Sequence, residues 1–407
     1  MMTAPSFDAA PHAQQRLLFL DALRIAAFGL LVLYHVGMYY VSWDWHVKSP
    51  HASAALEPWM RLSSPWRLSL LFLLSGVATS VMLRRDGASA PLLGARLRRL
   101  GPPLLLGLAV VVPPQAYFEV QQRHGFTGGY FDFLQLYYSG YSGFCRAGAG
   151  CLVLPTWNHL WFVAYLLVYT AALWVLVRVW PTAPDQAAAW LQRALAGARL
   201  WWGPAALLAL ARVTLIDRYP PTHALVGDLY LHTCYAGVFV AGVAMARSPD
   251  LWPRLDTRRW ISLALALAAW LVMLASPMTA EVVGPSTVRG LARAAFGAMQ
   301  WCGVLAAIGF AHRHWNRDFA WRRYLTDAVF PVYIVHQTII IGLAMALRPA
   351  ALGAGVEGVM LLALTLALSL AVYECVRRVE LLRPWFGLAP RAGALPARNP
   401  LPGEVAR

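Results

Sequence analysis

A single apolar run, Leu17 to Val41, sets the first limit on what this chain can become. About 20 apolar residues in a helix cross the hydrocarbon core of a bilayer. Yet this run carries Asp21, Arg24 and His35. An arginine or aspartate at mid-membrane depth costs roughly 2.5–3.5 kcal/mol on insertion scales, so such groups persist where they have a partner or a task. Arg24 and His35 lie eleven residues apart. On a helix that is about three turns, so both point the same way, about 16 Å apart along the axis. One face of one span therefore offers a cation near its start and a titratable imidazole deep inside. A buried imidazole can serve as a general base at neutral pH. The blander account is a snorkelling arginine and a histidine satisfied by a neighbouring helix. Two such residues on one face weigh against it.

The rest of the chain repeats the constraint. Its 407 residues are 59% hydrophobic and only 13% charged, with a mean hydropathy of +0.52, whereas a soluble domain is about a quarter charged. The expected fold class is all-α: a polytopic integral membrane protein with about ten transmembrane helices. The net charge of +15 does not point to nucleic acid, because the arginines fall between apolar runs and Lys48 is the one lysine. The expected spans are 18–41, 64–83, 100–118, 158–180, 200–216, 227–246, 260–276, 290–311, 325–347 and 356–376. The third is interrupted by Pro102, Pro103, Pro113 and Pro114, so polar neighbours or a wet cavity must satisfy the backbone groups freed there. Residues 1–15 are expected to be disordered, 16–382 to form the membrane domain, and 383–407 to be a disordered tail. The first run is too long for a cleaved signal peptide and reads as a retained anchor.

Arginine placement sets the orientation. The connections after the second, fourth, sixth and eighth spans hold clusters such as Arg84, Arg85, Arg96, Arg98 and Arg99, while the opposite connections are poorer. The positive-inside rule then puts both termini in the cytoplasm and the long loop 119–157 outside. Cys145 and Cys151 share that loop and can form a disulfide if it faces an oxidising compartment. Cys234, Cys302 and Cys375 lie in apolar runs as small packing residues. No Cys/His metal spacing occurs, and no metal is expected.

Several polar groups recur at membrane depth. Ser42 to His51 follows the first span and supplies aromatics with His46 and Lys48; Trp45 there is either interfacial belt or a platform for a sugar ring. Ser75-Gly76 in mid-span most often marks close helix packing. Arg96, Arg98 and Arg99 serve topology equally well as a phosphate clamp. Asn158-His159-Leu160-Trp161-Phe162 opens the fourth span, as an interfacial cap or as the far side of the mouth formed by Trp45 and His46. Asp228 and His232, one turn apart, are expected to neutralise each other. Asp327 and His336 lie in the ninth span, where His336 offers a partner for the first.

These residues together resemble the integral-membrane acyltransferases of acyltransferase family 3. The marks are Leu20-Asp21-Ala22-Leu23-Arg24, the spacing from Arg24 to His35, Phe72-Leu73-Leu74-Ser75-Gly76, and Arg96 to Arg99 ahead of a proline. The likeness runs over nearly the whole chain. Ser42, Trp45-His46-Val47, Ser49, His159-Leu160-Trp161-Phe162, Tyr333 to His336 and Tyr373-Glu374 are most similar to the branch that succinylates periplasmic glucans. Gln337, where a second histidine is expected, and the segment Tyr138–Leu154 depart from it. The resemblance implies acyl-CoA as a co-substrate on the cytoplasmic side, no tightly bound cofactor, and a hydroxyl of a periplasmic glucan or other carbohydrate as acceptor. The setting it implies is the bilayer of a bacterial inner membrane. It casts His35 and Arg24 as catalytic, and Arg96, Arg99, Ser75 and Gly76 as binding acyl-CoA. Trp45, His46, His159, Trp161 and His336 would meet the acceptor. A transporter or a partner in polysaccharide export is the competing class, since intramembrane Arg, His, Asp and Glu also mark transport pathways. The absence of repeat symmetry and the arginine cluster beside the first span favour the enzyme.

Overall fold

The computed structural model describes residues 17–146 and 150–391, and in it the chain is a bundle of helices. In order these are α1 (Leu18–Tyr40), α2 (Glu57–Ser63), α3 (Arg67–Asp86), α4 (Ala90–Leu106), α5 (Pro113–His124) and α6 (Tyr130–Tyr138). A two-residue pair, β1 (Cys145–Arg146) with β2 (Gly150–Cys151), follows, and a disulfide joins Cys145 to Cys151. Then come α7 (Trp161–Val179), α8 (Ala183–Ala194), α9 (Arg199–Leu215), α10 (Leu229–Met245) and α11 (Leu251–Thr257). The last four are α12 (Arg259–Val283), α13 (Pro285–Trp315), α14 (Arg322–Leu347) and α15 (Ala354–Arg378). Every expected span is helical. Eight stretches are long and apolar enough to cross a membrane, and a ninth results if α8 and α9, bent by 108°, count as one. α10 is apolar but shorter.

The third span shows how a proline-rich segment survives at membrane depth. α4 passes into a π-helical turn over Gly107–Val111 before α5 begins at Pro113. Pro113 and Pro114 bring no N–H, so carbonyls around the turn lose helical partners. Side chains replace them. Tyr137 donates its hydroxyl to the Leu108 carbonyl (2.9 Å), Tyr138 donates to Ala109, and Thr338 on α14 donates to Val111 (2.6 Å).

Close crossings rest on glycine. At Gly76 an added Cβ would stand 2.1 Å from the Phe239 carbonyl of α10, and at Gly242 2.1 Å from the Leu73 carbonyl of α3. The two backbones approach as closely as they do because neither side chain exists. α1 runs between α3, α13, α14 and α15, which puts the first span at the centre of contacts from both ends of the chain.

Two expectations are corrected. Asp228 and His232 do not pair. Asp228 accepts from Tyr165 and from the Thr222 amide and hydroxyl, whereas His232 bonds the Tyr169 hydroxyl (3.0 Å) and the Leu225 carbonyl (2.6 Å). Tyrosines of α7 satisfy each group separately. The tail does not become irregular at 383 either. Pro384–Phe386 form a 3₁₀ turn packed on α4, and Arg383 and Arg391 both donate to the Arg377 carbonyl. The expected disordered residues 1–15, and 392–407 of the tail, lie outside the described residues.

Replacing Gly76 or Gly242 by valine forces α3 and α10 apart. Overpacking of this kind costs about 1–3 kcal/mol. Thermal unfolding of the purified protein in detergent should show a lowered midpoint for either variant and no such loss for Gly29→Ala, where nothing stands within 4 Å.

Candidate functional site

Three histidines meet where α1, α14 and the start of α7 converge. His35 Nδ1 lies 2.8 Å from His336 Nε2, with the two rings parallel to within 3°. His336 Nδ1 lies 2.7 Å from the Tyr333 carbonyl. A carbonyl only accepts, so Nδ1 of His336 carries the proton and its Nε2 holds a lone pair. That lone pair accepts from His35 Nδ1–H. With both rings neutral, His35 Nε2 is then the free base. The tautomer of His35 is set two hydrogen bonds away, by a backbone carbonyl of α14.

His159 is the third member. Its Nε2 donates to the Ile334 carbonyl (3.0 Å), and its ring stands edge-on to His336 with centroids 5.1 Å apart. The Tyr333 hydroxyl donates to the His159 carbonyl (2.6 Å). Asn158 adopts φ 41°, a left-handed conformation that asparagine tolerates better than most residues. It opens the short 3₁₀ turn that delivers His159 and then Trp161.

Behind the histidines lies a buried amide network. Gln115 accepts from Asn158 Nδ2 (3.1 Å) and Gln337 Nε2 (3.0 Å), and donates to Thr338 Oγ1 (2.7 Å) and, at 3.5 Å, toward His159 Nδ1. All four valences of the carboxamide are used, which fixes its orientation. Gln337 thus has a definite place where a histidine was expected.

A cavity of about 400 Å³ opens beside these groups. Its wall brings together His35, Trp45, His46, His159 and Trp161 from the expected set, and adds Arg67, Glu119, Arg123, Trp157, His223 and Tyr333. His336 is not on the wall: it is 0% exposed and holds His35 from behind. His46 Nδ1 bonds Glu119 Oε2 at 2.5 Å, so a carboxylate orients the second imidazole at the mouth. Arg123 ties that mouth by donating to the Trp45 carbonyl and pairing with Asp44 at 2.6 Å. Asp44 is exposed; partial burial pushes its carboxyl up, but Arg123 and Arg146 outweigh that and hold it below the usual range. Arg67 is only 4% exposed, with its guanidinium 3.4 Å from the Tyr34 ring, and its Nε and Nη1 have no hydrogen-bond partner. Glu119, Arg123 and Gln115 were not singled out in the sequence. Gln115 stands near the end of the expected third span, and Glu119 and Arg123 fall in the expected outer loop 119–157.

The remaining expected residues form a second group, away from the cavity. Arg24, Arg96 and Arg99 are close enough for their charges to repel. Asp21, whose charge favours Arg24, is itself paired with Arg322 at 2.8 Å. Arg96 is buried and donates to Thr79 Oγ1 (2.7 Å), which donates in turn to the Ser75 carbonyl (2.8 Å). Arg99 is exposed. Ser75 donates to Leu71 within its own helix, and Gly76 faces α10. The site is therefore bipartite: a cluster of guanidiniums near the start of α1 and a histidine cavity near its end.

Comparison with known proteins adds a family. The profile of a family described as an acyltransferase domain matches residues 17–374. Glucans biosynthesis protein C of Shigella dysenteriae serotype 1 is 23% identical over 389 residues, covering 93% of this chain and 96% of that protein. The protein of the same name from Escherichia coli strain K12 is 22% identical over 397 residues, with the same coverage. No solved structure matches this chain.

Lys48 offers a direct test of the mouth. Its Nζ donates to the Met38 and Val41 carbonyls at the end of α1, at 2.6 and 2.7 Å. Burial, and then the nearby Arg123, lower its pKa to about 8 from 10.5. Only the neutral amine acylates. With one lysine in the chain, labelling by limiting acetic anhydride, read by mass spectrometry across pH 6–11, should reach half-maximum near pH 8. A midpoint near 10.5 would place Lys48 in open solvent instead.

Proposed function

Because this chain belongs to the acyltransferase-domain family matched over residues 17–374, we propose that it moves an acyl group through the membrane, from acyl-CoA on the cytoplasmic side to a carbohydrate hydroxyl on the outer side. The observation that carries this is the line from the Tyr333 carbonyl through His336 to His35, which leaves one basic nitrogen at the wall of the cavity. The acceptor hydroxyl gives its proton to His35 Nε2 as its oxygen attacks the thioester carbon. The carbon–sulfur bond breaks, and the proton passes on to the leaving thiolate. Transfer through a transient acyl-histidine at the same nitrogen is the alternative order.

Arg24, Arg96 and Arg99 hold the phosphates of the donor in this reading. Three like charges, with Asp21 beside Arg24 already paired to Arg322, suit a polyanion. Ser75 and Gly76 act indirectly, since their helix crossing holds Thr79 and through it Arg96. The rise of about 16 Å between Arg24 and His35 gives the pantetheine arm a path along α1. Trp45 and Trp161 offer faces to a sugar ring, and the name of the relatives points to a glucan. Arg67 favours succinyl over acetyl, because a buried cation with spare donors can bind the carboxylate of a succinyl group and finds no such partner on acetyl. The disulfide between Cys145 and Cys151 suits an outer, oxidising side for that connection, and with it a bacterial inner membrane with both termini inside.

Sealed vesicles of each orientation, given radiolabelled succinyl-CoA or acetyl-CoA with periplasmic glucan, should label the glucan when donor meets the cytoplasmic face. His35→Ala should lower that transfer by about 10²–10⁴-fold, the usual share of a general base. Full transfer by His35→Ala protein of normal abundance would overturn the assignment, and movement of glucan without any acyl donor would indicate a transporter.

A second pair of variants separates positioning from bulk. His336→Gln can still accept from His35 Nδ1, whereas His336→Leu cannot. The glutamine form should keep most of kcat with its acid limb unmoved. The leucine form should lose kcat at unchanged KM for the donor and show a displaced acid limb. Equal losses in both would mean that His336 is needed for packing alone.

A further inference from the structure

A second cavity of about 400 Å³ is lined by Tyr34, next to His35 in the chain, and shares no lining residue with the histidine cavity. Its wall carries Arg61, Arg212, Arg289 and Arg293, from α2, α9 and α13, and among the described lining residues there is no carboxylate. Two of these charges are answered from outside it: Arg61 by Glu57 at 3.6 Å and Arg293 by Asp217 at 2.5 Å. The other two lie within ion-pair distance of no carboxylate of the described residues, though Asp217 feels the charge of Arg289 as well as that of Arg293. Arg212 donates Nη1 to the Tyr230 hydroxyl (2.6 Å) and lies 3.5 Å over the Phe296 ring, but its buried Nε has no hydrogen-bond partner. Arg289 is exposed at the rim.

A hollow with two surplus guanidiniums and an unmade buried hydrogen bond is incomplete without an anion. Four guanidiniums from three helices offer more donors than the two oxygens of a carboxylate can use, and they match the tetrahedral set of a phosphate. The level of the cavity points the same way. Tyr34 is near the end of α1 and Trp43 just past it, while Arg61 belongs to the short helix that precedes α3. On that helix Trp59 is 65% exposed and leans on Trp270, whose Nε1 donates to the Pro58 carbonyl (2.9 Å). Exposed tryptophans of this kind lie at the depth of lipid headgroups, so a basic hollow there faces the phosphates of the lipids.

We propose that this cavity is a binding site for a phosphate-bearing group, distinct from the acyl-transfer site, with Arg212 and Arg289 as its main ligands. The phosphate can arrive on an anionic phospholipid or on a soluble phosphoester, and the two sources separate by experiment.

The full-length protein, purified in detergent, is examined by native mass spectrometry with added phosphatidylglycerol or phosphatidylcholine, and by thermal shift with sn-glycerol 3-phosphate. The paired substitution Arg212→Gln with Arg289→Gln should weaken retention of the phosphate-bearing ligand by about tenfold or more. The exposed pair Arg178→Gln with Arg193→Gln should leave it unchanged. Ala292→Phe, which fills the cavity without touching a charge, should block it as well and guards against a misfolded arginine variant. Selective retention of phosphatidylglycerol, lost in both cavity variants, identifies a lipid. A shift with glycerol phosphate, lost likewise, identifies a soluble phosphoester. Retention or shift that survives both cavity variants, or that is absent from the wild-type protein with every probe, overturns the proposal.

Discussion

Everything polar inside the bundle has to find its partner within the protein, because lipid offers none. That constraint shapes each distinctive part of the fold. The prolines of the third span free carbonyls, and hydroxyls from α6 and α14 take them up. The same break sets Gln115 where one carboxamide can join Asn158, His159, Gln337 and Thr338. The network is a by-product of satisfying the backbone, and it becomes the floor against which the histidines are held.

The orientation of His35 is likewise defined by what it does not need to do. His35 Nδ1 is occupied by His336, and His336 by a carbonyl that has no alternative but to accept. Among the described residues no carboxylate bonds either ring of this pair, unlike His46 with Glu119 at the mouth. A neutral relay avoids placing an uncompensated charge deep in hydrocarbon, where the cost of desolvation is highest. Apart from Arg67 on the cavity wall, charged groups are kept to the ends: guanidiniums near the start of α1, and the Asp44, Glu119 and Arg123 cluster near its end.

Much of this was legible in the sequence, and unevenly so. Hydropathy located every span, since membrane helices carry a strong signal, and the spacing from Arg24 to His35 placed the two parts of the site on one helix. His46, His159 and Trp161 were found because they sit at span ends beside aromatics. Partnership was harder. Asp228 and His232, adjacent on one helix, look like a pair until α7 supplies Tyr165 and Tyr169 from 60 residues away. Gln115 stands near the end of the expected third span and Glu119 at the start of the expected outer loop; only the π-helical turn shows that one helix, resuming at Pro113, carries both. Gly76 carried two readings, and its 2.1 Å approach to Phe239 explains why a packing role and a place in a motif coincide.

The sutured turn in the third span has a further consequence. Its two half-helices are joined by a joint whose stiffness comes from Tyr137, Tyr138 and Thr338, none of which lines the cavity. The width of the chamber is therefore governed in part from outside its wall. A relative with a wider chamber need not alter a single wall residue: exchanging Tyr138 for a residue without the hydroxyl would free the Ala109 carbonyl and let the upper half-helix swing, while the bond from Gln115 to Thr338 went on holding the amide network in place.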